Sequence, residues 1–335
     1  MKNFRHLTFL FLPFFLFSQM NERRLALVIG NSNYENGGLK NPVNDARLIA
    51  STLDSLDFDI ILKENLATKR DMTDAIREFG SKRSEYDVAF VYYAGHGIQV
   101  DDENFLLPTK EVFEEEFDVL DYGFSVQNIM RYLRAQTNQV NILILDACRD
   151  NPFESKWNTT RSLKSQGLAK IPPPTGSLIA FSTDSGQTAP DGDGENSIYT
   201  ISLSKNMLLE DTSIDQVFRN VRAEVLSQTN GNQRPVEATQ LTGQTFFLNP
   251  GNFEEDFIEI DNILLKNQNI SRVIEISTQI IAKQPNNYRA FEKRGHAHHI
   301  LRNYDQAISD YEKAIQINPN SLGSYRYYIT TPNAI

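Results

Sequence analysis

The sequence predicts an α/β fold: a mainly parallel sheet sandwiched by helices, followed by an all-α helical-repeat tail. Three observations lead there. Short, continuous apolar runs alternate with amphipathic stretches between Arg24 and Leu248, the pattern of strands buried on both faces. Beyond Gly251 only helix-like patterns remain. Within that tail a 34-residue period emerges.

Taken in order, Arg24-Leu-Ala-Leu-Val-Ile-Gly30 reads as the first buried strand, and the Asn- and Gly-rich stretch 31–42 as a loop. Asn44 or Asp45 is placed to cap a helix running to about Leu56, with Ala46, Ile49, Ala50 and Leu53 on one face. Residues 57–63 read as a second strand. Residues 68–83 read as a helix with Met72, Ile76 and Phe79 turned inward. The third strand, 88–93, runs into Ala94-Gly-His-Gly97, and 98–110 reads as a hairpin or extended loop. A helix over 125–135 leads to a fourth strand, 140–145, which runs into Asp146-Ala-Cys148.

The pattern breaks over 151–175. That stretch carries Lys156, Arg161, Lys164, Lys170 and Pro172-Pro-Pro174, and reads as an exposed, mobile connection. A fifth strand is expected over 177–182, helices over 197–209 and 213–229, and a last strand over 244–248.

In the tail, counting from Tyr288, Phe291, Gly295, Ala307, Tyr311, Ala314 and Pro319 stand at offsets of 3, 7, 19, 23, 26 and 31. This pattern resembles the tetratricopeptide repeat, in which small residues, here Gly295 and Ala307, let two helices approach and a proline, here Pro319, stops the second. A weaker copy lies 34 residues earlier, with Phe257 and Pro285 in register but Asp261 and Val273 at the small positions. The expected organisation is a leader over 1–19, an α/β domain over 22–250 and partial helical repeats over 254–335.

Lys2, Arg5 and the 11-residue apolar run from Leu7 to Phe17 have the layout of a secretory signal peptide. The run is short for a bilayer span. The expectation is a secreted or periplasmic protein, with an N-terminal membrane anchor as the alternative and no further membrane contact. A net charge of −10 argues against nucleic-acid binding, which needs a basic face. Cys148 is the only cysteine, so no internal disulfide can form.

His96 and Cys148, 52 residues apart, both fall at the carboxyl ends of expected strands, where open parallel sheets place their sites. A thiol with an imidazole base is the minimum equipment for nucleophilic acyl transfer. The backbone N–H groups of Gly97 and Cys148 are the expected oxyanion donors. No cofactor or resident metal is expected. His296, His298 and His299 do not share one helix face, and the acidic run Asp191-Gly-Asp-Gly-Glu195 lacks the remaining spacing of an EF-hand loop. Calcium activation stays open as an alternative.

The strand ending in Tyr92-Tyr-Ala-Gly-His-Gly97, with the strand ending in Asp146-Ala-Cys-Arg-Asp150, resembles the caspase-like cysteine peptidases. The His-to-Cys spacing of about 50 residues is a known family property. Leu39-Lys-Asn-Pro-Val-Asn-Asp-Ala46, the stretch 146–153, and Thr188-Ala-Pro-Asp-Gly-Asp-Gly194 followed by Asn196-Ser197 are similar to the bacterial metacaspase or orthocaspase branch. The resemblance spans about 24–248 and implies large-subunit-like (22–150) and small-subunit-like (176–250) parts.

The resemblance also implies a specificity pocket floored by Asp45 and Asp146. Asp146 stands where caspases carry Gln, and Ala94 where this branch often carries Ser. Carboxylates there suit peptide or protein substrates with Arg or Lys at P1. The basic 151–175 linker then becomes an expected self-cleavage substrate. A protein partner is expected for the repeats. The competing expectation is a catalytically silent caspase-like scaffold that recruits partners through them.

Overall fold

A computed structural model describes residues 22–101, 103–133, 139–148, 168–184, 194–242, 245–319 and 321–332, with Cys148 described by its backbone. The leader, Lys156, Arg161, Lys164, Asp191 and Asp193 lie outside the described residues.

Eight strands form one sheet among the described residues. Its central order is β2 (Phe58–Glu64), β1 (Arg24–Gly30), β3 (Val88–Val100), β6 (Val140–Cys148), β7 (Ser177–Phe181) and β8 (Val236–Thr239). All these pairings are parallel except β7–β8. β4 (Glu103–Leu106) folds back antiparallel on the far end of β3, and β5 (Phe124–Ser125) pairs with β4.

Alternation along the strands fills two apolar layers. Leu25, Leu27, Val91, Tyr93, Leu143 and Leu145 pack against Met72, Ile76 and Phe79 of α2 (Lys69–Lys82) and Ile129, Met130 and Leu133 of α4 (Val126–Leu133). Ala26, Val28, Phe90, Tyr92, Ile142 and Ile144 meet Ile49 and Leu53 of α1 (Pro42–Asp54), Leu203 and Met207 of α5 (Ile198–Met207), and Val217 and Val221 of α6 (Ile214–Gln228). Each such fully buried large side chain contributes on the order of 1.5–3 kcal/mol of transfer free energy. The result is the expected sandwich, with the carboxyl ends of β1, β3 and β6 at one edge.

Four local expectations are corrected. α1 does not start at Asn44 or Asp45: Pro42 begins it, because a ring-fixed φ suits the first helical turn. Asp45 is therefore no cap and sits inside the first turn. The stretch 244–248 forms no strand among its described residues. Phe247 makes one isolated bridge to Ser213, and the antiparallel edge is β8 instead. The short helix α3 (Glu116–Tyr122), an acidic segment with Phe117 73% exposed, was not anticipated. The end of the supposed mobile connection is docked: Leu168 and Ile171 are buried in the core, and Asn104 pairs with both backbone groups of Ala169 (Nδ2 to O 2.8 Å, N to Oδ1 2.6 Å).

The tail contains α7 (Glu254–Lys266), α8 (Ile270–Lys283), α9 (Tyr288–Ile300), α10 (Tyr304–Ile317) and α11 (Leu322–Thr330). Phe257, Val273, Ile276, Ile280, Phe291, Ala314 and Ile317 share its own core. A Cβ on Gly295 would sit 2.8 Å from the Tyr311 ring, so the small residue at this position is required by helix approach. Lys283 reaches across to Asp211 at 2.7 Å, tying α8 to the α5–α6 turn. No helix among the described residues is long and apolar enough to cross a membrane.

Candidate active site

β3 and β6 run parallel in unbroken register from Val88↔Val140 to His96↔Cys148. The two residues are thus direct cross-strand partners at the carboxyl edge. They are held there by the packed run Phe90-Val-Tyr-Tyr93 on one strand and Ile142-Leu-Ile-Leu145 on the other.

His96 is buried. Its ring tilts against Tyr34 at a centroid distance of 4.4 Å, and its backbone N–H donates to the Tyr34 hydroxyl at 2.9 Å. Nε2 lies 2.6 Å from the Gly37 carbonyl. A carbonyl accepts only, so this contact places the proton on Nε2 and the ring lone pair on Nδ1 in the neutral form. Gly95, at φ +153°, precedes it within β3. A Cβ there would stand 2.6 Å from the Tyr34 hydroxyl and 2.7 Å from that of Tyr93.

The Leu107 N–H donates to the His96 carbonyl one position beyond the β3–β4 register, while the His96 N–H goes to Tyr34. Antiparallel pairs alternate, so Gly97↔Leu106 is a non-hydrogen-bonded pair. The Gly97 N–H is accordingly turned away from β4, toward the side where β6 ends. Beside it, Ala147 and Leu168 occupy the space a Gly97 side chain would need.

Asp45 and Asp146 come together although they are about a hundred residues apart in sequence. Ser197, the N-cap of α5, bridges them: its N–H donates to Asp45 Oδ1 at 2.9 Å and its hydroxyl to Asp146 Oδ2 at 3.1 Å. Asn196 Nδ2 adds a bond to Asp45 Oδ1 at 2.9 Å. The Thr200 and Tyr92 hydroxyls add bonds to Asp146 Oδ2 at 3.0 and 3.2 Å. Every one of these donors is neutral, and no lysine or arginine among the described residues pairs with either carboxylate.

Burial, and then the neighbouring Asp146 charge, push the Asp45 carboxyl up to about 7. Burial also raises Asp146, against the pull of its hydroxyl donors. Two carboxyl groups thus share one water-poor site with neutral donors only, an arrangement that raises the cost of ionising both. The hydroxyl donors Tyr92 and Thr200 were missed at the sequence level. Asn196-Ser197 carried a signal only through the resemblance. Tyr34 and Gly37, from a loop without periodicity, carried none.

Two of the three histidines of α9 lie against aromatic neighbours. His296 stacks on Tyr327 at 4.4 Å. His299 lies edge-on to Tyr304, with Nδ1 3.0 Å from the Thr331 hydroxyl. Among the described residues no His, Cys, Asp and Glu group has the arrangement of a metal site.

The caspase-domain family matches residues 23–246, about two thirds of the chain. The chain belongs to the caspase family. Residues 288–321 match the tetratricopeptide repeat.

Among curated proteins, human mucosa-associated lymphoid tissue lymphoma translocation protein 1 is 31% identical over 127 residues, and its mouse homologue is 30% identical over the same length. These matches cover 38% of this chain and 15% of either relative. Among solved structures, caspase-1 from Spodoptera frugiperda aligns with TM-score 0.51 at 16% identity, over 69% of this chain and 92% of that one. The Drosophila initiator caspase Dronc aligns with TM-score 0.50 at 13% identity, over 70% and 85%. At such identities the likeness is one of fold. It fits a caspase-like, mainly parallel sheet between helices, followed by helical hairpins of tetratricopeptide type.

Proposed function

We propose that this caspase-family protein is a cysteine endopeptidase that cuts after Arg or Lys. The observation that carries the reading is the His96↔Cys148 register at the sheet's carboxyl edge, together with an acidic pair that has no cation partner among the described residues. Cys148 is the nucleophile. His96, oriented by Gly37, accepts the thiol proton at Nδ1 as sulfur attacks the scissile carbonyl carbon. The developing oxyanion is met by the N–H groups of Gly97 and Cys148. The tetrahedral intermediate collapses to a thioester, and the departing amine takes the proton from the imidazolium. Water, deprotonated by His96, then hydrolyses the thioester and regenerates the thiol. No cofactor enters these steps.

Asp45 and Asp146 receive the P1 cation. The same preference makes Lys156, Arg161, Lys164 and Lys170 candidate self-cleavage positions. After a cut upstream of Leu168, the buried Leu168 and Ile171 and the Asn104–Ala169 clip keep the fragments together. The first 19 residues direct export, and the tetratricopeptide tail recruits a protein partner.

A scaffold without activity is the competing reading, favoured by the presence of that tail. Reaction with an electrophilic peptide carrying P1 Arg separates the two. A peptidase gives a stoichiometric adduct at Cys148 that is lost in His96→Ala. A silent scaffold gives none.

A further inference from the structure

α11 begins at Leu322, 34 residues after α9 begins at Tyr288, so the two helices hold equivalent places in successive repeats. Tyr288, Phe291 and Gly295 of α9 correspond to Leu322, Tyr325 and Ile329 of α11. In α9 this face is covered. Phe291 and Gly295 are buried, Tyr288 packs on the repeat core, and the Tyr311 ring of α10 lies over Gly295. In α11 the same positions are 82%, 42% and 62% exposed.

The opposite face of α11 is docked. Ser324 is buried with its hydroxyl on Glu292 at 2.7 Å, and Tyr327 stacks on Tyr311 and His296. An apolar stripe at helical spacing therefore faces the place that a following helix takes in the preceding repeat.

Charge selects the occupant. The other end of the array also exposes apolar side chains, Ile258 and Leu265 of α7, but that helix carries Glu254, Glu255, Asp256, Glu259 and Asp261 against one Lys266. Two such faces repel, and an acidic face on a chain of net charge −10 disfavours a second copy. α11 carries a single charge, Arg326, one position off the stripe. Of the two ends of the array it is the one on which two copies meet at lower electrostatic cost.

We propose that the chain self-associates through α11. Leu322, Tyr325 and Ile329 of one protomer pack on the same three residues of a second copy about a two-fold axis, each helix filling the place that follows the other. A helix of nine residues makes an interface at the small end of the range, below about 1,200 Å² in total, so the dimer is concentration-dependent in the micromolar range.

The test is sedimentation of the full chain from low to high micromolar concentration, beside Leu322→Glu/Ile329→Glu. Both substitutions are at exposed positions, and retained helicity and thermal unfolding check the fold. The expected result is a monomer–dimer equilibrium whose dissociation constant rises by about tenfold or more in the double variant. A second measurement uses Tyr325→Cys in a Cys148→Ala background, which leaves one thiol per chain. Under mild oxidation it should form a disulfide dimer, whereas Ile258→Cys in the same background should not. A chain that stays monomeric throughout, as it would if α11 docks only a different protein, overturns the proposal. So does a dimer that survives the double substitution, or one that cross-links through position 258 and not 325.

Discussion

His96 and Cys148 are cross-strand partners in the parallel β3–β6 pair, the last residues of that register, beyond which β3 runs on to pair with β4. The register brings the two backbones side by side on packed strands, as the proposed base and nucleophile require. Replacing His96 by Ala should lower kcat/KM by roughly 10²–10⁴-fold, the usual contribution of a general base. Cys148→Ala should leave only background cleavage. Steady-state kinetics with circular dichroism as a fold control checks both.

The acidic pair should behave as a unit. Asp146→Asn keeps the shape and the acceptor for Ser197, Thr200 and Tyr92 but removes one charge facing the substrate cation. The expected loss is about 10²-fold or more in kcat/KM for Arg reporters, since breaking a buried charge pair costs about 2–5 kcal/mol. Labelling of Cys148 by a small neutral alkylating agent should change little. Equal loss in both assays would mean that Asp146 supports the nucleophile and not the pocket.

Asp45 sets a pH dependence. Its carboxyl titrates at about 7, raised first by burial and then by Asp146. Activity toward P1 Arg should therefore climb as the pH rises through about 7, and Asp45→Asn should lose that limb while remaining a weaker enzyme. The stability effect has the opposite sense. A carboxyl whose folded value exceeds its unfolded one, near 3.9, stabilises the fold fully below the unfolded value and loses that contribution as the pH rises through the folded value. Asp45→Asn should thus melt above wild type at pH 8, by a few degrees at about the scale of 1 kcal/mol. Calorimetry at two pH values measures this, and an unchanged or lower melting temperature at pH 8 would refute it.

Gly295→Leu isolates the tail. A side chain there meets the Tyr311 ring at once, and overpacking of this kind costs about 1–3 kcal/mol or more. Proteolysis and loss of helicity should be confined to α9–α11, while peptide cleavage by the α/β domain stays within about twofold of wild type. Loss of activity would show that the domain depends on the repeats.

Much of this architecture was legible because it rests on continuous burial. Arg24–Gly30 was read to the residue, since all of β1 after its first residue is buried and apolar apart from its glycine. The helix carrying Met72, Ile76 and Phe79 was legible from one-sided periodicity, and the one carrying Ala307, Tyr311 and Ala314 from the 34-residue period. What failed was governed by weaker signals. β8 is a four-residue, half-exposed edge strand, Val-Glu-Ala-Thr, less apolar than the nearby Phe246-Phe-Leu248 that drew the assignment. α3 is held by acidic capping, with Asp118 accepting from the Glu115 N–H, and by one buried side chain, Val119, too little for a periodic apolar face. At the site, the two reactive residues and the two acids were readable as residue types. Their coupling through Ser197 was not, because it depends on how α1, β6 and α5 converge in space.

The most direct test of the central reading is a cleavage profile on a peptide library varied at P1, run with the purified chain and with Cys148→Ala. The account predicts cutting after Arg and Lys, none after Asp, and complete loss in the Cys148→Ala control. Preferential cutting after Asp, or cleavage that survives the loss of Cys148, would contradict it.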